Sequence, residues 1–478
     1  MAKDTLSNSA SYLRLDDIRI EHISIIINGV DFPIDEYWSV CEISENLFHN
    51  NISGGINFID GVNLPLNLPI TGEEFLGIIF YTPQLDARVK VVFLIDKMDD
   101  QAPLLNKQSL LYDLKFVCPT YLLNLFGNVN KCFKGTISQA VEGIFNNHII
   151  PKDERVGAGT VLADDQPSAD KRLIEIEPTW GYTNNIIPNW NPWNAINWLS
   201  RRAVSFDNPH SANYVFYQDF DGFHFVSIDR LAKRPSKEQY FLGTTEQENV
   251  VRKTPNLEID IGETMSNIRN LKICGYDRAY ETKIGTYASN MLIHDITSKS
   301  YTSRNYKCFF DVDNRETMNE HPSYLGQQMY CGETTSKGYF VPSHNALYGD
   351  SVGNSSNSAN DGVELWLQRH DSQKQLLLTN SLEFTVSGNS SRRIGDKVSV
   401  VIPSFEPVDE TGNIKIDYRL SGDYLITELR HSMSKTKGHE TRMKVCKDSS
   451  IEPYTPLESY DGGPTDSGAV GEGTVLKP

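Results

Sequence analysis

The chain has 478 residues, of which 39% are hydrophobic and 22% charged, a composition that supports several packed cores and excludes wholesale disorder. Its formal net charge is −17, with no run of Lys or Arg longer than two, so its surface as a whole should repel nucleic acid and anionic membranes. The seven cysteines form no CxxC pair, which points to reduced thiols of a cytosolic setting rather than to a disulfide framework or a zinc site.

Residues 1–15 are polar and read as a flexible N-terminus without an apolar stretch of signal-peptide length. No later apolar run approaches the roughly 18 residues that span a bilayer, so a protein without membrane insertion is expected. From Ile18 the chain reads as strands. IRIEHISIII runs into Asn28-Gly29, a strong hairpin signal. Tyr37–Glu45, Gly54–Asp60, Glu74–Tyr81, Arg88–Ile95 and Leu110–Val117 follow, and this regular spacing suggests a β-barrel or sandwich over 16–118.

The pattern changes at Pro119. Thr120 is placed to cap a short turn through Leu125. Thr136 and Gln139 have the spacing of a capping box, and Ile137, Ala140, Val141, Ile144 and Phe145 then recur on one helical face. Residues 151–175 read as loop. In PNWNPWNAINWLSRRA, Asn191 is the expected N-cap and Pro192 the first helical residue. Trp193, Ile196, Leu199, Ser200 and Ala203 share one face, and Arg201 and Arg202 fall in the expected last turn. Trp190, Trp193 and Trp198 read as aromatic anchors of a core, with a sugar platform or a protein interface as alternatives. A hairpin, Asn213–Asp219 and Phe223–Leu231 about Phe220-Asp221-Gly222, completes an α+β domain over 119–236.

Strand-like sequence returns at Gln239–Leu242, Val250–Arg252 and Asn267–Cys274. Residues 279–379 hold a polar, Tyr-rich stretch, a Gly/Ser/Asn-rich loop at 349–361 and a helix over Val363–Leu378. LEFTVSG, VSVVIP, GDYLITELRHSM and ETRMKVCKD then read as strands. Gly395-Asp396 and Gly422-Asp423 suit the turns between them, and His431 reads as a packed or hydrogen-bonded strand histidine rather than a ligand. The Gly-rich segment 449–478 reads as a flexible tail.

Signatures of catalysis are missing: there is no HExxH, GxSxG, P-loop or GxGxxG. Ser432 and Lys435 have SxxK spacing but follow a strand instead of opening a buried helix. His294-Asp295 and His370-Asp371 are adjacent pairs that read as solvated polar positions. Asp99-Asp100 and Asp164-Asp165 lack the spaced loop of a calcium site. No cofactor or metal is expected. A pair of glycosidase carboxylates leaves no sequence pattern, so a carbohydrate-binding or glycan-hydrolysing β-rich protein is the alternative reading.

The order of these phrases resembles the central baseplate hub protein of contractile-tailed phages, a family related to the hubs of contractile injection systems. The resemblance covers about 15–450 and rests on GTISQAVEGIF, PNWNPWNAINWLSRRA, YVFYQDFDGFHFVSI, YASNMLIHDITSKSY and the closing strands from IGDKVSV onward. It implies an α+β, mainly β fold with two tail-tube-like antiparallel β-barrels, at 16–118 and at 237–278 plus 380–448. An α+β domain lies between them, and 279–379 is inserted in the second barrel. It further implies a non-enzymatic homotrimer in the tail baseplate of a virion, assembled in the host cytoplasm. That ring would join a hexameric tail tube or tube-initiator protein to a trimeric central spike, which in some relatives carries a lysozyme domain. Baseplate wedge proteins would be further contacts, and DNA would pass the axial channel without specific binding.

Overall fold

The computed structural model describes residues 19–62, 64–68, 70–82, 87–103, 109–149, 173–243, 267–295, 299–308, 311, 314–322, 335–343, 363–404 and 416–452. The expected N-terminal tail, the strand Val250–Arg252, the pair Asp164-Asp165, the loop 349–361 and most of the tail 449–478 lie outside these residues. Among the described residues no helix is long and apolar enough to cross a membrane.

The first β unit comprises β1 (Arg19–Ile27), β2 (Val30–Pro33), β3 (Trp38–Asn46), β4 (Ser53–Asp60), a short α1 (Leu64–Asn67), β5 (Phe75–Thr82), β6 (Ala87–Pro103) and β7 (Leu110–Val117). Asn28 and Gly29 both have positive φ, 52° and 80°, as a two-residue hairpin turn between β1 and β2 requires. The strands pair in the order β3-β4-β7-β6-β5-β1-β2. They curl around a core that includes Ile23, Ile25, Cys41, Ile43, Phe58, Phe80, Phe93 and Phe116. β6 runs eight residues past the expected end at Ile95. Register shifts at Ile95/Lys97 and Asp99/Ala102 break its alternation, so the polar sequence there does not read as strand.

An α+β layer follows. It contains α2 (Pro119–Phe126), β8 (Val129–Gly135), α3 (Ile137–Ile144), β9 (Leu173–Ile176), β10 (Thr183–Trp190), α4 (Pro192–Ser200), β11 (Tyr214–Gln218), β12 (Phe223–Ser227) and α5 (Ile228–Ala232). β8 and β10 form a two-stranded ribbon, and β9 adds in parallel to the β11–β12 hairpin. The second hairpin strand ends at Ser227, not at Leu231. Ser227 caps α5 by accepting from the Arg230 N–H at 3.1 Å, which turns the chain into helix.

The second β unit uses β13 (Glu238–Phe241) and β14 (Arg269–Ile273). The insertion follows, with α6 (Arg278–Lys283), β15 (Ala288–Asp295), β16 (Ser300–Lys307), β17 (His321–Pro322), β18 (Lys337–Ser343) and α7 (Val363–Thr379). Then come β19 (Asn380–Ser387), β20 (Lys397–Val401), β21 (Gly422–Ser434), β22 (Gly438–Lys447) and β23 (Ser449–Ser450). The order β13-β20-β21-β22-β19-β14 closes into a barrel through a bridge between Phe241 and Asn267. Inside are Tyr240, Phe384, Val398, Val400, Leu425, Ile426, Met443 and Val445. The two β units share one thirteen-stranded sheet, joined where β21 pairs antiparallel with β3. The architecture is α+β and mainly β, as the sequence resemblance implies.

Candidate functional site

Thirteen-residue β21 is the joint between the units. Its first half pairs with β20, from Gly422 opposite Val400 to Leu425 opposite Lys397. Its second half pairs with β3, from Glu428 opposite Asn46 to Ser434 opposite Val40. Inward residues alternate along it, Leu429, His431 and Met433, and they meet Cys41, Ile43 and Glu45 from β3. His431 and Glu45 are completely buried, with Nε2 3.8 Å from Oε1, and His431 Nδ1 lies 3.1 Å from His439 Nε2. The rings of Phe80 and Phe220 pack on His431.

Burial sets the charge state here. It drives the Glu45 carboxyl well above the usual carboxylate range, with Asp219, Asp221 and Asp396 adding to the effect against the opposing charge of Arg393. It also drives His431 well down, with His439 and two arginines adding to it, and takes His439 down to about 3. All three shifts favour the neutral form. The trio is fully buried, and among the described residues no group of three or more His, Cys, Asp or Glu is placed to hold a metal ion.

The β11–β12 hairpin is wedged against this joint, and its period-two alternation divides it among three cores. Tyr214, Phe216, Phe223 and Phe225 belong to the core of the α+β layer. Val215, Tyr217 and Val226 belong to that of the second β unit. Phe220 at the tip enters that of the first. Asp219 shapes the tip by accepting from the N–H groups of Asp221 and Gly222, at 2.8 and 2.9 Å. Arg393 then ties the tip to the second unit by donating to Asp221 at 3.1 Å.

An ionic chain, buried at His224 and Asp219 and reaching the surface at Arg230, runs along the hairpin. His224 Nε2 lies 2.9 Å from Asp219 Oδ2, and its Nδ1 is 3.9 Å from Glu175 Oε2. Arg230 and Arg234 also engage Glu175. Burial alone would lower the His224 pKa, but the two carboxylates outweigh it and raise it to about 9. His224 and the two arginines hold Glu175 down to about 2 against the upward push of burial. The hairpin thus carries a fixed cation between two anions.

A second ionic knot fastens the insertion. Arg315 is buried and donates to Asp229, next to the hairpin, at 3.2 Å and to Asp448, just beyond β22, at 2.9 Å. Asn319 bonds the backbone of Asp423 and Ser449. Helix α7 adds Gln373, which donates to His210 O and Asp311 and accepts from Ala212 N.

The residues singled out in the sequence fall as follows. Thr136 and Gln139 form the reciprocal capping box, each accepting from the other's backbone N–H at 3.3 and 3.2 Å. Pro192 is the first residue of α4, and Trp193, Ile196, Leu199, Ser200 and Ala203 are buried. Asn191 occupies the N-cap position but makes no side-chain cap. Asn124 of α2 caps α4 instead, accepting from Trp193 N at 2.9 Å, while Asn191 donates to Asn124 O. Arg201 and Arg202 lie past the end of the helix, and the Arg202 guanidinium sits 3.8 Å from the centre of the Trp198 ring. Trp190 and Trp198 meet edge to face at 5.6 Å, and Trp193 is buried with its ring 5.7 Å from that of Tyr121, so the three rings pack in the fold rather than forming one flat platform. Thr120 does not cap α2, which starts at Pro119. Its hydroxyl lies 3.0 Å from Cys118 Sγ.

Gly395 lies in the turn before β20 at φ 77°, where a Cβ would come within 2.6 Å of the Tyr217 hydroxyl, and its neighbour Asp396 pairs with Lys237 at 2.7 Å. Gly422 opens β21 instead of sitting in a turn. Its φ is 131°, and a Cβ there would meet Asn319 Oδ1 at 2.8 Å. His370 is not solvated: burial takes it down to about 4, and its neutral Nδ1–H donates to Ala212 O at 3.0 Å.

Sequence reasoning missed His224, Glu175, Glu45 and Arg315. Only Glu45 carried a signal, as an acid on the inward parity of β3 with Cys41 and Ile43.

No protein-family model and no curated protein matches this chain. Solved structures do. The tail protein from Neisseria meningitidis MC58 matches with a TM-score of 0.51 at 13% identity, over 90% of this chain and 97% of that one. The 43 kDa tail protein of prophage MuSo2 from Shewanella oneidensis matches with 0.49 at 12% identity, over 89% and 98%. An E. coli component of the type VI secretion system matches with 0.41 at 10% identity, over 91% and 77%. The likeness to the Neisseria protein is one of fold. The chain shares the fold of that tail protein.

Proposed function

We propose that this chain is the structural baseplate hub of a contractile tail. Three copies close into a ring, with a trimeric spike on one face, a hexameric tube or tube-initiator protein on the other, and an axial passage for DNA. The division is 16–118 and 237–278 plus 380–448 for the two tube-like units, 119–236 for the α+β domain and 279–379 for the insertion. The observation that supports this most is the pair of β units, each with its own core, fused side by side through β21 and β3. A chain with two such units presents six in a trimer, which is the count a sixfold tube needs. The fixed joint suits the role, because two units that must match one tube should not move relative to each other. The protein acts by shape and carries no chemistry in this reading. It belongs to the virion tail and is assembled in the host cytoplasm.

Native mass measurement of the protein with and without its spike is the test. A mass of three chains, at least with the spike present, is expected for a closed cyclic assembly. A monomer or dimer in the presence of the spike overturns the proposal.

A further inference from the structure

The insertion contains a three-stranded sheet in the order β16-β15-β18. One face is covered: Met291 and Tyr306 are buried there, and Gln368 of α7 donates to Ser289 O at 3.0 Å. The residues described on the other face are exposed or half-buried. The register lines up three rows across it: Tyr301, His294 and Pro342; Ser303, Leu292 and Phe340; Asn305, Asn290 and Gly338. Tyr301 and Phe340 are 72% and 65% exposed. The rings of His294 and Phe340 stack, with centroids 6.1 Å apart and planes at 26°. Asn290 Nδ2 donates to Ser303 Oγ at 2.8 Å and to Asn305 Oδ1 at 2.6 Å, which fixes a row of carboxamides beside the rings. A Cβ added to Gly338 would meet nothing within 4 Å, so the amide end of the face is open as well.

None of these nine positions is Asp, Glu, Lys or Arg, in a chain that is 22% charged. A phosphate-bearing ligand would find no cation on the face. Strand spacing makes the face about 10 Å by about 14 Å. That is far below the roughly 800 Å² per partner that a stable protein interface buries. Flat exposed rings next to a row of carboxamides and a hydroxyl match one ligand chemistry of this size. We propose that this face binds a neutral oligosaccharide. Tyr301 and Phe340 pack against the C–H faces of two neighbouring sugar rings, and Asn290, Asn305 and Ser303 take their hydroxyl or acetamido groups. The sugar platform considered for the tryptophans is thereby assigned to a different element. This function is separate from the hub role and does not depend on it.

The test uses the full chain with cellotriose and N,N′,N″-triacetylchitotriose as probes, read by saturation-transfer NMR and calorimetry. At least one probe is expected to bind. The Y301A/F340A double variant should bind it at least about tenfold more weakly, because both aromatic contacts are lost. Its melting temperature should not change, because both rings are exposed. N290A should weaken binding as well. If neither probe binds, or if binding survives in the double variant, the proposal fails. It fails equally if native mass shows that the double variant alters the assembly, since the face would then lie between copies of the chain.

Discussion

His224 shows how much a single residue on the hairpin contributes. Its pKa stands at about 9, above its ordinary 6.5, so the stability it supplies is fully present below about 6.5 and is lost as pH rises through about 9. Glu175 works in the opposite direction. Held at about 2, below its ordinary 4.5, it supplies stability that is full above about 4.5 and is lost as pH falls through about 2. The ionic chain is therefore strongest between those limits, at mildly acid pH. Replacing His224→Gln keeps the shape and removes the cation. The expected cost is about 2–3 kcal/mol at pH 6, shrinking toward nothing by pH 10. Urea midpoints of both proteins across that range are the measurement. Two curves that stay parallel would mean that folding leaves the His224 pKa at its ordinary value.

Among the elements, α4 is held by a cap from another helix, and this makes an unusual ranking of substitutions. Asn124→Ala removes the acceptor of the Trp193 N–H and should cost about 1 kcal/mol. Asn191→Ala, at the formal N-cap, should cost less, since only its bond to Asn124 O is lost. Trp193→Ala empties a core position and should cost about 3–5 kcal/mol. Denaturant midpoints rank the three, and a larger loss in N191A than in N124A would contradict the borrowed cap. The same helix marks where sequence stops being informative. Pro192 and its buried face were legible because those signals lie within a few residues, as were the Thr136–Gln139 box and the Asn28-Gly29 turn. The cap at Asn124 was not, because it lies 69 residues away from Trp193. Arg315 reaches its partners across 86 and 133 residues. In sequence a buried, paired charge looks the same as a solvated one, and only the assembled fold separates Arg315 from its exposed counterparts. The hairpin was visible as strands, but its division among three cores depends on where those cores are placed.

At the scale of the whole molecule, in the trimeric ring proposed above, charge would decide what can pass. Three copies would carry −51 in total, from −17 each. Among the described residues, several cations are engaged in pairs on the sheet and in the interior. On the polar face over the joint, Arg442 pairs with Glu383, Lys444 with Glu428 and Arg430 with Glu42. Arg315 and Arg393 are committed to carboxylates within the fold. Phosphate binding draws its strength from unpaired cations that displace condensed counterions, and each paired cation would first have to give up its carboxylate. A passage built from such a surface should let DNA slide by instead of holding it. The expected outcome is that the isolated protein does not retard duplex DNA in a gel-shift titration, even at about 20 mM salt, where charges still act over about 20 Å. Sub-micromolar binding that weakens steeply with added salt would refute this. It would show that the net charge conceals a basic surface, and that the channel of the assembled ring grips its cargo.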